Sequence, residues 1–243
     1  VIISEEDKQL RIGNEAIPIL LLKGRPNRVR ISFAQGNLLQ IETGTGKLGD
    51  FDKQFLATKT RWILRGFRIR RDADDRKKQL LTDVERRIML FGKDTEVQFI
   101  TDNRTYFKFD PDGPFRVHAP AHVIRAHKKK VLYFALRKFA EIYLNRKVAD
   151  WSERTQITVK RVVIKDLKSK WGSCSTLRNI NLNWHLILLE ENLIDYVVIH
   201  ELMHLHEMNH SAAFWAWVGR YCPDYARMRK KLKENQWLVG ILN

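Results

Sequence analysis

Apolar and polar residues alternate over much of the first fifty positions, the period of a half-buried strand. Ile17–Lys23, Arg28–Phe33 and Leu38–Glu42 are β-rich runs, separated by Gly24-Arg25-Pro26-Asn27 and by Gln35-Gly36-Asn37. Gly44–Gly49 then closes this first sheet. From about Lys53 to Arg71 the period becomes helical: Phe55, Thr58, Trp62, Ile63, Leu64 and Phe67 crowd one side, with basic residues elsewhere. The charged stretch Asp72–Lys78 predicts a loop or hinge.

Beyond it the strand period returns. Arg87–Phe91, Glu96–Thr101, Tyr106–Phe109 and Phe115–His118 read as short strands, with turns at Asp102-Asn103 and Asp110–Gly113. A long helix is predicted over about His122–Lys147, directing Val131, Phe134, Ala135, Phe139 and Ile142 to a core. Gln156–Lys165 and Asn179–Trp184 read as further strands, and Glu191–Met208, Ser211–Arg220 and Tyr225–Trp237 as helices. A hairpin followed by a helix occurs twice in succession, a hint of repetition. The pattern predicts an α+β protein, with a smaller N-terminal β-hairpin/helix region over 1–85 and a larger domain over 86–243.

Charge changes this picture. Forty-four Lys and Arg against 28 Asp and Glu leave a net charge of +16, an excess that favours polyanions: nucleic acid, nucleotides or acidic surfaces. The cations cluster at Arg65–Arg71, Lys128–Lys130 and Arg227–Lys233, without a recognised nucleic-acid motif. No apolar run is long enough to span a bilayer, so no membrane partner is expected. The acids Glu5, Glu6 and Asp7 stand where a signal peptide would be basic. Two cysteines, Cys174 and Cys222, are too few for a disulfide framework and are expected to be reduced thiols. Together these predict a cytoplasmic protein.

The chemistry concentrates in Tyr196-Val-Val-Ile-His200-Glu201-Leu-Met-His204-Leu-His206-Glu-Met-Asn209-His210. On a helix His200 and His204 lie one turn apart on one face, so both imidazoles can reach one metal ion. Glu201, about 100° round, can reach a water on that metal as general base. Neutral imidazoles in a four-coordinate site with one open position suit Zn2+. The third ligand is assigned to His210: Asn209 can adopt the left-handed conformation that ends a helix, and Ser211 can cap the next one. Phe214, Trp215 and Trp217 would pin that turn; the rival third ligands are the downstream acids Asp224 and Glu234. His206 points about 200° from His204 and is not expected to share the metal.

Upstream stand Lys170-Trp171-Gly172-Ser173-Cys174 and Asn179-Ile-Asn181-Leu-Asn183-Trp184. With the HExxH segment and Asn209-His210-Ser211 before Phe214-Trp215, these motifs resemble the YgjP-like (DUF45) metallopeptidase family, related to SprT-type and WLM-type zinc proteases. The resemblance is tight from about Asp166 to Trp217 and looser elsewhere. It implies a zincin-like catalytic domain in which Asn179–Trp184 is a short edge strand beside the metal helix, open to an extended substrate, and Lys170–Cys174 a flanking loop. The family commonly has Arg where this chain has Lys170, which keeps the charge but not the planar fork. Glu207 stands where metzincins place a glycine, which argues against that class.

The expected activity is zinc-dependent hydrolysis of a peptide or other amide. Tyr196, Lys170 and His185 are unranked candidates to stabilise the oxyanion. Two other readings stay open: hydrolysis of nucleotides or other phosphoanhydrides at the same metal, and a nucleic-acid-associated protease or binding module whose basic surface does the work.

Overall fold

Strands, a hairpin and a helix follow one another twice in the computed structural model, once in each of the two units into which the chain divides, Val1–Lys78 and Gln79–Asn243. The structure describes residues 2–4 (backbone only), 8–34 and 37–242. The acids Glu5, Glu6 and Asp7 and the Gln35-Gly36 part of the expected turn lie outside the described residues.

The first unit holds β1 (Ile2–Ser4), β2 (Gln9–Ile12), β3 (Glu15–Lys23), β4 (Arg30–Phe33) and β5 (Leu39–Thr43), in the sheet order β1-β2-β3-β5-β4. Helices α1 (Asp50–Thr58) and α2 (Thr60–Thr82) follow. Leu10, Ile17, Ile19, Leu39 and Ile41 from the sheet pack with Leu56, Ile63 and Phe67 from the helices. Asp72–Lys78 is not a loop, because α2 runs straight through it. The stretch has no Gly or Pro to stop a helix, and Arg76 Nε donates to the Asp72 carbonyl one turn back at 3.1 Å. A helix polar all round persists on such local pairs.

The second unit opens with β6 (Arg87–Leu90), β7 (Lys93–Thr101), β8 (Tyr106–Lys108) and β9 (Phe115–Ala119), followed by α3 (Ala121–Thr155). Its sheet order, β6-β7-β9-β8, repeats the β2-β3-β5-β4 order of the first unit. The registers repeat too. Each hairpin closes across two residues, Ile12↔Glu15 and Leu90↔Lys93, and each turn holds a glycine at positive φ, Gly13 at 59° and Gly92 at 73°. In each the last five residues of the long strand pair in parallel with the fourth strand, Ile19↔Leu39 onward and Val97↔Phe115 onward. The hint of repetition in the sequence is thus a duplicated four-stranded topology.

Then come β10 (Arg161–Lys165), β11 (Gly172–Cys174), β12 (Asn179–Asn183), a 3-10 turn over Trp184–Leu188, and helices α4 (Glu191–Met203), α5 (Ala212–Tyr221) and α6 (Tyr225–Glu234). The long helix α3 outruns its expected end and stops at Gln156, which takes the left-handed conformation at φ 56°. This shortens the expected Gln156–Lys165 strand to β10. Val131, Ala135 and Phe139 are buried as expected, but Phe134 (53% exposed) and Ile142 (64%) face water. The buried stripe runs through Leu132, Leu136, Phe139, Ala140, Leu144 and Val148, and both exposed residues lie two positions, about 200° of turn, from its nearest members. Phe139 anchors it among Phe91, Phe107, Phe109 and Phe115, with ring centroids 4.7–5.8 Å apart. Among the described residues no helix is long and apolar enough to cross a membrane.

The two faces of α3 can be told apart by unfolding. Phe139→Ala should cost about 3–5 kcal/mol in urea denaturation, whereas Phe134→Ser and Ile142→Ser should stay within about 0.5 kcal/mol of wild type.

Candidate metal centre

Helix α4 has almost no solvent side: Leu193, Ile194, Tyr196–Ile199, Leu202 and Met203 are all buried. Burial on this scale fixes the rotamers of the polar residues the helix carries, His200 and Glu201. The helix ends at Met203, not at Met208, with His204 as C-cap. The Glu207 carbonyl turns back to accept from His204 Nδ1 at 3.1 Å, which a continued helix would not allow, since its carbonyls point onward to the residue four places ahead. Asn209 therefore does not end the helix and takes no left-handed conformation. Its Oδ1 instead accepts from Ser211 N at 2.9 Å, and Ser211 Oγ accepts from Phe214 N at 3.2 Å as N-cap of α5.

This turn brings His210 back over α4. The ring centroids of His200, His204 and His210 form a triangle with sides of 4.9, 4.8 and 5.1 Å. One nitrogen from each ring lies within 4.8 Å of the others. Among the described residues this is the one group of three or more His, Cys, Asp or Glu side chains placed to hold an ion. Phe214, fully buried, is the common floor, with its ring 5.0, 4.5 and 4.9 Å from His200, His204 and His210. Burial, then the neighbouring His204 and His210, push the His200 imidazole down to about 3; burial also lowers His204. Both rings are therefore neutral near pH 7, with lone pairs available. The bond to Glu207 places the His204 proton on Nδ1 and leaves Nε2 bare. His200 Nδ1 is buried without a hydrogen-bond partner.

Glu201 is buried between α4 and β11, and burial pushes its carboxyl up to about 8, with Lys170 opposing. It lies flush on Gly172: a Cβ there would stand 2.6 Å from Glu201 Oε1 and 2.8 Å from Cγ. That contact explains the glycine in Trp171-Gly172-Ser173. The Asn-x-Asn-x-Asn-Trp motif has a matching role. Asn181 Nδ2 donates to Ser173 Oγ at 3.0 Å, Asn183 Nδ2 to the Leu167 and Lys170 carbonyls at 2.9 and 3.1 Å, and Trp184 Nε1 to Asp166 Oδ1 at 2.5 Å. These bonds clamp the Asp166–Cys174 segment beside α4.

The edge strand is not the expected one. β12 is central, paired in parallel with β10 and antiparallel with β11, and Trp184 has already left it for the 3-10 turn. The edge beside α4 is β11. Asn183 N donates to the Trp171 carbonyl and Ser175 N to the Asn179 carbonyl, so the alternation of an antiparallel ladder turns the N–H and C=O of Gly172 and Cys174 outward. His185 is no oxyanion candidate. It is wholly buried, its Nδ1 lies 2.8 Å from Asn183 Oδ1, its Nε2 accepts from Leu242 N at 3.3 Å, and burial lowers it to about 4. Tyr196 is buried too, its phenol pushed up to about 12 by burial. His206 stands apart, stacked on Trp217 at 4.4 Å, and neither Asp224 nor Glu234 joins the cluster. Arg229, marked in the sequence only as one cation of the Arg227–Lys233 cluster, is placed by α6 5.1 Å over the Trp215 ring, where its charge acts on both His200 and Tyr196.

No curated protein sequence matches this chain. Among solved structures it is similar to the metallopeptidase zymogen abylysin of Pyrococcus abyssi, at 24% identity over 37% of this chain and 90% of that one, TM-score 0.34. The zymogen of jannalysin from Methanocaldococcus jannaschii is similar at 22% identity over 38% and 95% of the two chains, TM-score 0.35. The family model for the YgjP-like metallopeptidase domain matches residues 27–235. That span contains the histidine cluster, Glu201 and the β11 edge, and the chain belongs to the YgjP-like metallopeptidase family.

Proposed function

We propose that the protein is a zinc peptidase in which His200, His204 and His210 hold the ion and Glu201 is the general base. What carries the reading is the convergence of three imidazoles from α4, its C-cap and the following turn on one point. Their spacing suits the ion: two nitrogens each about 2.0–2.1 Å from a tetrahedral zinc lie about 3.3 Å apart, against 3.1 Å between His200 Nε2 and His210 Nε2. The donors are also of the right kind, neutral rings of which one is oriented by a backbone carbonyl.

When bound, zinc supplies Lewis acidity, which polarises a carbonyl and acidifies water. The protein's own residues do the rest. A Glu201 carboxylate oxygen would take the proton of the attacking water and hand it to the departing amide nitrogen; burial raises its proton affinity, and the positive charge of Lys170 and of the bound ion would favour the ionised form that a base requires. The outward N–H and C=O of Gly172 and Cys174 hold an extended peptide by adding it to the sheet edge. Lys170 and Arg229 put positive charge beside Glu201 and His200, where negative charge builds on the scissile carbonyl. Both cysteines are free thiols, which supports a reducing, cytoplasmic setting.

Four substitutions test these roles by peptide hydrolysis and by metal content after dialysis. Glu201→Gln should keep the metal and lose turnover; full activity in that variant would remove the base from Glu201. Gly172→Ala should also keep the metal, but displace the Glu201 carboxylate and lower the rate by about 100-fold. An unchanged rate would mean that the contact carries no positional constraint. His210→Ala should weaken zinc affinity by more than the roughly 10- to 100-fold typical of groups that only orient a ligand, while His206→Ala should bind as wild type. Equal affinity in the two histidine variants would require another third ligand.

A further inference from the structure

The first unit supplies no side chain of the metal centre, yet Thr60–Arg71 at the start of α2 carries five arginines and no acid. Arg68 and Arg71 are committed to Glu15, at 3.1 and 2.7 Å. Arg61 and Arg65, one turn apart, are exposed and make no ion pair among the described residues. Beside them lies an aromatic platform. The Phe33 ring sits 5.7 Å from Trp62, tilted by 33°, and the Arg70 guanidinium covers Phe33 at 4.4 Å. Gly66 makes room for it, since a Cβ there would stand 2.5 Å from Phe33 Cε2. Trp62 is 49% exposed and Ile69 55%, with Arg65 between them on the same helical stripe.

The duplicated topology shows what is unusual about this face. In the second unit α3 has its sheet on one side and α4 with the Trp184–Leu188 turn on the other. Among the described residues of the first unit the core reaches α2 through Ile63, Leu64 and Phe67, and the other side of its first three turns carries exposed arginines and the half-exposed Trp62. Every cation on this side of Thr60–Arg71 is Arg, whose planar fork pairs with phosphate and stacks on rings. An anionic membrane would be met by a continuous apolar stripe, whereas Trp62 and Ile69 are isolated among charges.

We propose that this face of α2 binds single-stranded nucleic acid, with a base stacked on Trp62 and backbone phosphates held by Arg61 and Arg65. Single strands offer the unstacked base faces that such a platform needs. The other two basic clusters are less available: Lys128 lies 3.9 Å from Glu85 and Lys129 5.5 Å over the Tyr133 ring, while Lys231 lies 3.0 Å from Glu190 and Arg229 5.1 Å over the Trp215 ring. The proposal does not depend on the metal-centre reading.

The test is fluorescence anisotropy of a labelled oligothymidylate of about 15 nucleotides with the full chain. Binding should weaken steeply as salt rises from about 50 to about 200 mM. Arg61→Glu/Arg65→Glu should weaken it by about tenfold or more. Trp62→Ala should weaken it by about fivefold or more, with Trp62→Phe recovering most of the loss. Lys129→Glu/Lys130→Glu should stay within about threefold of wild type at physiological salt, where distant charges are screened. Circular dichroism checks folding, and Trp62→Leu, which keeps apolar volume without a ring face, replaces the alanine variant if that one unfolds. The proposal is overturned by absence of binding at low salt, by an equal loss in the Lys129/Lys130 variant, or by unchanged affinity without the Trp62 ring. Capture on phosphatidylserine vesicles with no oligonucleotide binding would overturn it in favour of a membrane surface.

Discussion

Helix α4 is packed on nearly every side, and the metal centre follows from that constraint. A polar residue on such a helix cannot turn to water, so each one needs a partner built into the fold. His204 finds the Glu207 carbonyl, Glu201 finds the gap over Gly172, and His200 is left with a buried nitrogen and two neighbouring imidazoles. Neutral rings and a carboxyl of raised proton affinity result from the same burial. The turn that returns His210 belongs to this arrangement, because the bond that fixes the His204 tautomer also ends the helix.

Duplication of the four-stranded topology gives the two units a shared origin in form and different surroundings. In the second, the helix after the strands is covered by α4 and forms the back of the catalytic half. In the first, the equivalent layer stops at α1 and α2, and the outer face is arginine-rich. The second unit also carries a separate three-stranded sheet of β10, β12 and β11, whose β11 edge lies beside α4.

Most strands and helices could be read from periodicity because their apolar positions face one core, as in β3, β5, β7 and β9. The readings failed where a local signal was outweighed. Asp72–Lys78 looks like a hinge by composition, but nothing in it interrupts a helix. Phe134 and Ile142 are as apolar as the buried positions of α3 but lie two residues off its stripe. Within the site, the spacing of His200, His204 and His210 foretold their meeting, since a helix and a short turn are local. Which strand forms the edge could not be foretold, because β11 is only three residues long and the order β10-β12-β11 is a matter of long-range pairing. Gly172 stood in plain view, but its reason, the flank of Glu201, exists only in three dimensions.

In the proposed zinc site three histidines and no carboxylate from the protein surround the ion above Phe214. Zinc-edge X-ray absorption on the metal-loaded protein reads the coordination shell directly. Three imidazole nitrogens at about 2.0–2.1 Å and one oxygen from water are expected. Two imidazoles with a bidentate carboxylate, or a sulfur near 2.3 Å, would contradict this ligand set.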